Sequence, residues 1–275
     1  MSRPAILALA LLAAACTTPP AGPSAGAGQP PPGPQAPPLA ALQANPALDA
    51  RTIVERATAA AGGETWRRPR TLFLEGYAVF YGPGGVPLVN QRHAMWRVFP
   101  EFKPDAHGAD GKVRIESWRD GQLVTFTSFD GTRTYNRDGP MPPSEADRQW
   151  AENFGFGVIR FALDPGYALT RLPDDLVDGQ PVYRVEVTDP GGARTQFGIG
   201  VSDYAVRSVG FVTPRGWHER IYSDFYRLPG ISWTQPGRIR LLYNGVKQNE
   251  IIWQRFRLNE PMEDALFNTP PVAPR

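Results

Sequence analysis

Chemistry needs groups that can attack a substrate, move a proton or hold a metal, and this chain of 275 residues carries few of them. Its thiol and imidazole groups are one cysteine, Cys16, and three histidines, His93, His107 and His218. The histidines are widely separated and form no HExxH or comparable zinc spacing. Asp105, His107 and Asp110 cluster in a Gly-containing polar stretch that could hold a cation or form a solvated loop. Asp174 and Asp175 are adjacent carboxylates, but in turn-like sequence, where aspartate is favoured for backbone reasons. Arg67, Arg68 and Arg70, beside Trp66, could meet a lipid headgroup or form a solvated turn. No GxSxG elbow, P-loop or dinucleotide fingerprint occurs. The expectation is a protein that is not an enzyme, with no catalytic residues, no metal and no cofactor. Lys plus Arg number 29 and Asp plus Glu 27, a net charge of +2, so no broad basic field exists for nucleic acid.

Cys16 has the most informative position. Arg3 precedes the apolar run Ala5 to Ala15, which is too short to span a bilayer, since that needs roughly 20 residues. A short basic start, an apolar core and small residues before a cut are the parts of a secretory signal peptide. Leu12-Ala13-Ala14-Ala15-Cys16 resembles the lipobox of bacterial lipoproteins, with alanine in place of the commoner leucine three residues before the cysteine. The resemblance implies that Cys16 becomes an acylated N-terminus and holds the chain to a membrane. Several acyl chains are needed for a permanent anchor, because each buried CH₂ contributes only about 0.8 kcal/mol. Thr17 stands where aspartate commonly retains such proteins at the inner membrane, which favours the outer membrane with the domain in the periplasm. An acylated Cys16 leaves no thiol for a disulfide, so the domain is held by packing.

Three segments follow: a signal peptide over 1–15, an acylated cysteine with a proline-rich disordered linker over 16–44, and one folded domain over 45–275. Nine prolines between Thr17 and Pro38 leave too little apolar surface to offset the entropy of ordering. The domain opens with Asn45 as an expected helix N-cap, followed by an apolar face of Ala50, Ile53, Val54, Ala57 and Ala61. Gly62-Gly63 ends that helix. From Thr71 the pattern alternates with period two, and Asp120-Gly121, Asp178-Gly179 and Asn244-Gly245 suit tight hairpin turns. About ten or eleven antiparallel strands in meander order are expected. One helical stretch interrupts them, capped at Ser144 and carrying Trp150, Phe154 and Phe161 at spacings close to one face, with Gly155 and Gly157 weakening its middle.

Some strands alternate cleanly, while Leu72 to Tyr81 and Ile251 to Leu258 are apolar on both faces, so those are covered on both sides. The expected fold is mainly β (α+β): a curved antiparallel sheet, a half-barrel with lid helices on its concave face. Its aromatic interior is either solid or open to a ligand. Ala60-Ala61-Gly62-Gly63, Trp66, Thr71-Leu72 and Gly76 look like the start of LolA/LolB-like domains, the superfamily of outer-membrane lipoprotein carriers and receptors. Leu172-Pro173, Asp178-Gly179 before Tyr183-Arg184-Val185, and Phe267 with Pro270 continue the likeness. The resemblance implies a cavity for lipid or lipoprotein acyl chains, and a monomer is expected. Its expected lining is Trp96, Trp118, Phe126, Trp150, Phe154, Phe161 and Trp253.

Overall fold

The computed structural model describes residues 44–143, 150 and 155–269. Cys16, the proline-rich stretch, Ser144, Phe154 and Pro270 lie outside the described residues. The first helix, α1 (Ala50–Ala61), is capped by Asp49, whose carboxylate accepts from Thr52 N at 2.7 Å. Asn45, the expected cap, instead closes a separate turn by accepting from Ala47 N at 2.9 Å. Either residue type can cap a helix, and the start at Asp49 leaves Ile53, Val54 and Ala57 fully buried. Gly62 ends α1 at φ 136°, and a short α2 (Glu64–Arg67) follows with Trp66 buried.

Thirteen strands form one antiparallel sheet among the described residues, two of them the very short β5 (Thr134–Asn136) and β6 (Gly139–Pro140). Strands β1 (Thr71–Tyr81), β2 (Pro87–Val98), β3 (Lys112–Arg119) and β4 (Gln122–Phe129) run outward to β6. Then β7 (Ala168–Val177), β8 (Gln180–Thr188), β9 (Arg194–Gly200), β10 (Val206–Thr213), β11 (Gly216–Tyr226), β12 (Gln235–Tyr243) and β13 (Val246–Leu258) return, and β13 pairs with β1 at the centre. Asp120-Gly121, Asp178-Gly179 and Asn244-Gly245 have positive φ at both positions, as two-residue hairpin loops require. The sheet is curved and does not close into a barrel, so β6 and β7 are its free edges. The chain from β6 to β7 must therefore pass from one edge of the sheet to the other.

That crossing segment carries the lid. Gly155–Arg160 is a 3-10 helix rather than an α-helix, as two glycines in three residues would favour, and Val158, Ile159, Phe161 and Ala162 are buried. With α1 they cover the inner face of the sheet in one continuous core containing Leu72, Leu74, Val185, Phe197 and Phe256.

A β-bulge shapes the centre of this face. The pairing of β1 with β13 slips between Glu75 and Gly76, so that Trp253 and Phe256, three residues apart, both join the inner core. Strict alternation would place them on opposite faces. Glycine is required at the slip: a Cβ on Gly76 would stand 1.8 Å from the carbonyl oxygen of Ile252.

The outer face is covered too. The segment after β13 folds back across β1 to β3, and Phe267 is fully buried beneath it. Arg114 anchors it by donating to the Thr269 carbonyl at 2.7 Å.

Candidate ligand cavity

Between the inner face and the lid lies a cavity of about 380 Å³. Leu72, Leu74, Val113, Ile115 and Ile239 form its sheet wall; Ile159, Arg160 and Phe161 form its lid wall. Trp66 of α2, Phe99 after β2 and Trp233 before β12 close one side. Each element is positioned by local rules. Alternation along β3 sends Val113 and Ile115 inward and Arg114 and Glu116 outward. Trp233, only 2% exposed, is fixed by its own Nε1 donating to Gln235 Oε1 at 2.9 Å.

The lid is pinned by an ion-pair cluster. Asp164, its side chain 8% exposed, accepts from Arg67 Nη2 at 2.7 Å and Arg68 Nη2 at 2.5 Å. These arginines, read from sequence as a solvated turn or a lipid contact, instead tie α2 to the end of the lid. Trp150 sits farther along, donating from Nε1 to Thr134 Oγ1 at 2.7 Å and packing on Phe129, Val113 and Ile115.

Polar groups enter this otherwise apolar wall at a few points. Asp110 is shared by Arg97 and Lys103. Burial lowers the pKa of both cations, with Asp110 acting in the opposite direction. Arg160 stands over three rings, at 4.9 Å from Phe99 and 5.1 Å from Trp66 and Trp233. Arg220 lies 3.3 Å from the centroid of Phe156. Burial brings both guanidinium groups down to a pKa of about 10, and it raises the phenol of Tyr222 beside them.

Of the residues expected to line the interior, Trp150 and Phe161 border the cavity. Trp253 is buried on the inner face, stacked on His93 at 5.2 Å, but lies beyond the cavity wall. Trp96, Trp118 and Phe126 lie on the outer face instead. Trp96 packs on Phe73 at 5.0 Å, Arg114 lies over both Trp96 and Phe126, and Trp118 donates to Glu116 Oε2 at 3.0 Å. Their surroundings are aromatic because the C-terminal segment covers that face, a contact that periodicity does not reveal. Sequence reasoning missed Phe99, Phe156, Arg160, Arg220 and Trp233. One signal was available: Arg160 interrupts the apolar run Val158-Ile159-Arg160-Phe161-Ala162.

The polar residues singled out from sequence have structural tasks. Asp105 caps its own loop by accepting from His107 N and Gly108 N. His107 stacks on Phe211 at 4.3 Å, and Asp110 is held in the ion pairs above. Asp174 and Asp175 do not form a turn. They lie on the edge strand β7 at a register slip beside Pro173, paired with Arg171 and Arg184. An edge strand tolerates the missing proline N–H.

A structure of a LolA superfamily protein from Nitrosomonas europaea superposes with a TM-score of 0.52, covering 81% of this chain and 99% of that one at 15% identity. The fold is LolA-like. An outer membrane lipoprotein-sorting protein domain from Vibrio parahaemolyticus superposes with a TM-score of 0.46 at 13% identity, covering 78% of this chain and 94% of that one. A DUF1329 family protein from Desulfovibrio piger gives 0.48 at 12% identity, covering 80% and 97%. No protein-family model matches the chain, and no curated protein does. The LolA-like half-barrel with its inner face lidded is thus established by structure, at identities too low to carry function with it.

Proposed function

We propose that this protein binds an apolar ligand, the acyl chain of a lipid or lipoprotein, within its half-barrel cavity, and that it does so without catalysis. The observation that carries this reading is the cavity itself, which lies between a largely apolar sheet wall and an aromatic-rich lid. Its 380 Å³ falls in the lower part of the range for small-molecule pockets, roughly 300–1,000 Å³. Transfer of acyl surface from water into such a space is favourable by about 25 cal/mol per Å². The LolA-like fold supports the reading, because the superfamily name belongs to lipoprotein sorting.

The N-terminal sequence supports an envelope location: an acylated Cys16 would fasten the protein to a membrane, with the domain in the periplasm. Exchange of ligand requires the lid around Ile159 to Phe161 to separate from the sheet. A protein so fastened would receive, present or sense lipid at one membrane rather than shuttle between two.

The test is uptake of a fluorescent acyl-chain probe by the full chain carrying Cys16→Ser, purified without detergent. Uptake that is lost in Ile239→Trp, which fills the cavity from the sheet wall, is the expected result. No uptake, or uptake unchanged by the filling residue, would leave a non-catalytic scaffold with an interior that serves packing alone.

A further inference from the structure

The sheet wall of the cavity is laid out in rows. Ile115 on β3, Met95 on β2 and Leu74 on β1 stand opposite one another in register, and all three line the space. Along a strand, the next side chain on the same face comes two residues on, about 6.6 Å away. Here that step reaches Ser117, His93 and Gly76, and the row continues across Gly76 to Trp253 on β13. The apolar wall therefore ends in a polar row. Ser117, His93 and Trp253 are all buried, and the strands on either side of β13 both line the cavity, through Leu74 on β1 and Ile239 on β12.

One donor in this row is unmet. Trp253 is 4% exposed, and its Nε1 has no hydrogen-bond partner among the described residues. Trp118, Trp150 and Trp233 show the ordinary arrangement, donating to Glu116, Thr134 and Gln235 in turn. The neighbours of Trp253 do not answer it: His93 lies stacked against the indole, ring centroids 5.2 Å apart and 29° between the planes, and its Nδ1 is engaged with Ser117 Oγ at 2.7 Å. An indole N–H can only donate, so the cost of burying it stands until an acceptor meets it. What completes it is an acceptor oxygen carried on something that fits an apolar wall.

Building on the cavity reading above, we infer that Trp253 Nε1 donates to the acyl carbonyl oxygen of the ligand, an ester or an amide, while the hydrocarbon chain runs back over Leu74, Met95 and Ile115. An acyl chain carries an acceptor only where it joins the rest of its molecule. A single donor just past an apolar wall suits that carbonyl group and no other part of the chain.

The test compares three ligands of one length on the full chain carrying Cys16→Ser: methyl palmitate, N-methylpalmitamide and hexadecyl methyl ether, in which a methylene replaces the carbonyl. The ester or the amide is expected to bind about fivefold more tightly than the ether, the net contribution of one hydrogen bond. The tighter of the two names the linkage. In Trp253→Phe, which removes the indole N–H, all three should bind alike. Equal affinity for all three with Trp253 in place would overturn the carbonyl claim and leave the cavity reading standing. A preference that survives Trp253→Phe would overturn the assignment to Trp253, and binding of none would remove the cavity reading as well. Infrared spectroscopy with Trp253 in place covers the case in which Trp253→Phe fails to fold. The carbonyl stretch of ¹³C-labelled methyl palmitate should lie lower in the complex than in hexane, as that of a hydrogen-bonded carbonyl does, and a stretch at its hexane value would overturn the proposal.

Discussion

His93 has its ring stacked on Trp253 and its Nδ1 2.7 Å from Ser117 Oγ, and the residue is buried. Burial lowers its pKa from 6.5 to about 4. The unfolded chain takes up this proton near 6.5 and the folded protein only near 4, so the neutral ring contributes stability above that window. The contribution disappears as pH falls through it, about 3 kcal/mol in all. His107 is shifted in the same direction, by burial first. Denaturant midpoints for the wild type should therefore fall between about pH 7 and pH 5, and His93→Asn, which cannot titrate, should show a flatter profile. Equal slopes would contradict this assignment. Gly76 gives a second prediction at this scale. Gly76→Ala places a methyl against the Ile252 carbonyl and should cost about 2 kcal/mol or more, read as a lower melting temperature. Neither consequence was legible beforehand. The sequence shows a histidine and a glycine in a strand, whereas the burial and the bulge that give them meaning arise from pairing β1 with a strand more than 170 residues away.

Hairpins and α1 were legible because their signals are local: Asp-Gly and Asn-Gly turns demand positive φ, and the apolar face of α1 recurs at helical spacing. The lining was not. Both faces of the central strands are apolar, and only the fold-back of the C-terminal segment tells that Trp96 and Phe126 belong outside and Ile115 inside. The lid was half legible, since its glycines announce a weak helix, but its pin to α2 links residues 96 apart. Removing that pin should loosen the lid. Asp164→Ala leaves Arg67 and Arg68 without their shared carboxylate and should destabilise the protein by roughly 2 kcal/mol. It should also speed release of a bound acyl probe, measured by stopped flow. Unchanged release would show that exchange does not pass through this lid.

Over the whole molecule, the open half-barrel exists because two antiparallel meanders join at β1 and β13 and leave two edges for a lid segment to bridge. Fold class was readable from strand spacing and composition; the cavity's polar lining was not, because Arg97, Arg160 and Arg220 are brought together from three distant parts of the chain. The anchor belongs to this scale as well. Cys16→Ser should move the protein from the membrane fraction to the soluble fraction, and retention in the membrane would contradict acylation at that residue. The most direct test of the central claim is the native mass of the full chain carrying Cys16→Ser, purified without detergent, before and after organic extraction. A bound acyl species that extraction removes is the predicted result. A clean apo mass before extraction, with no mass gained on adding lipid afterwards, would contradict the account.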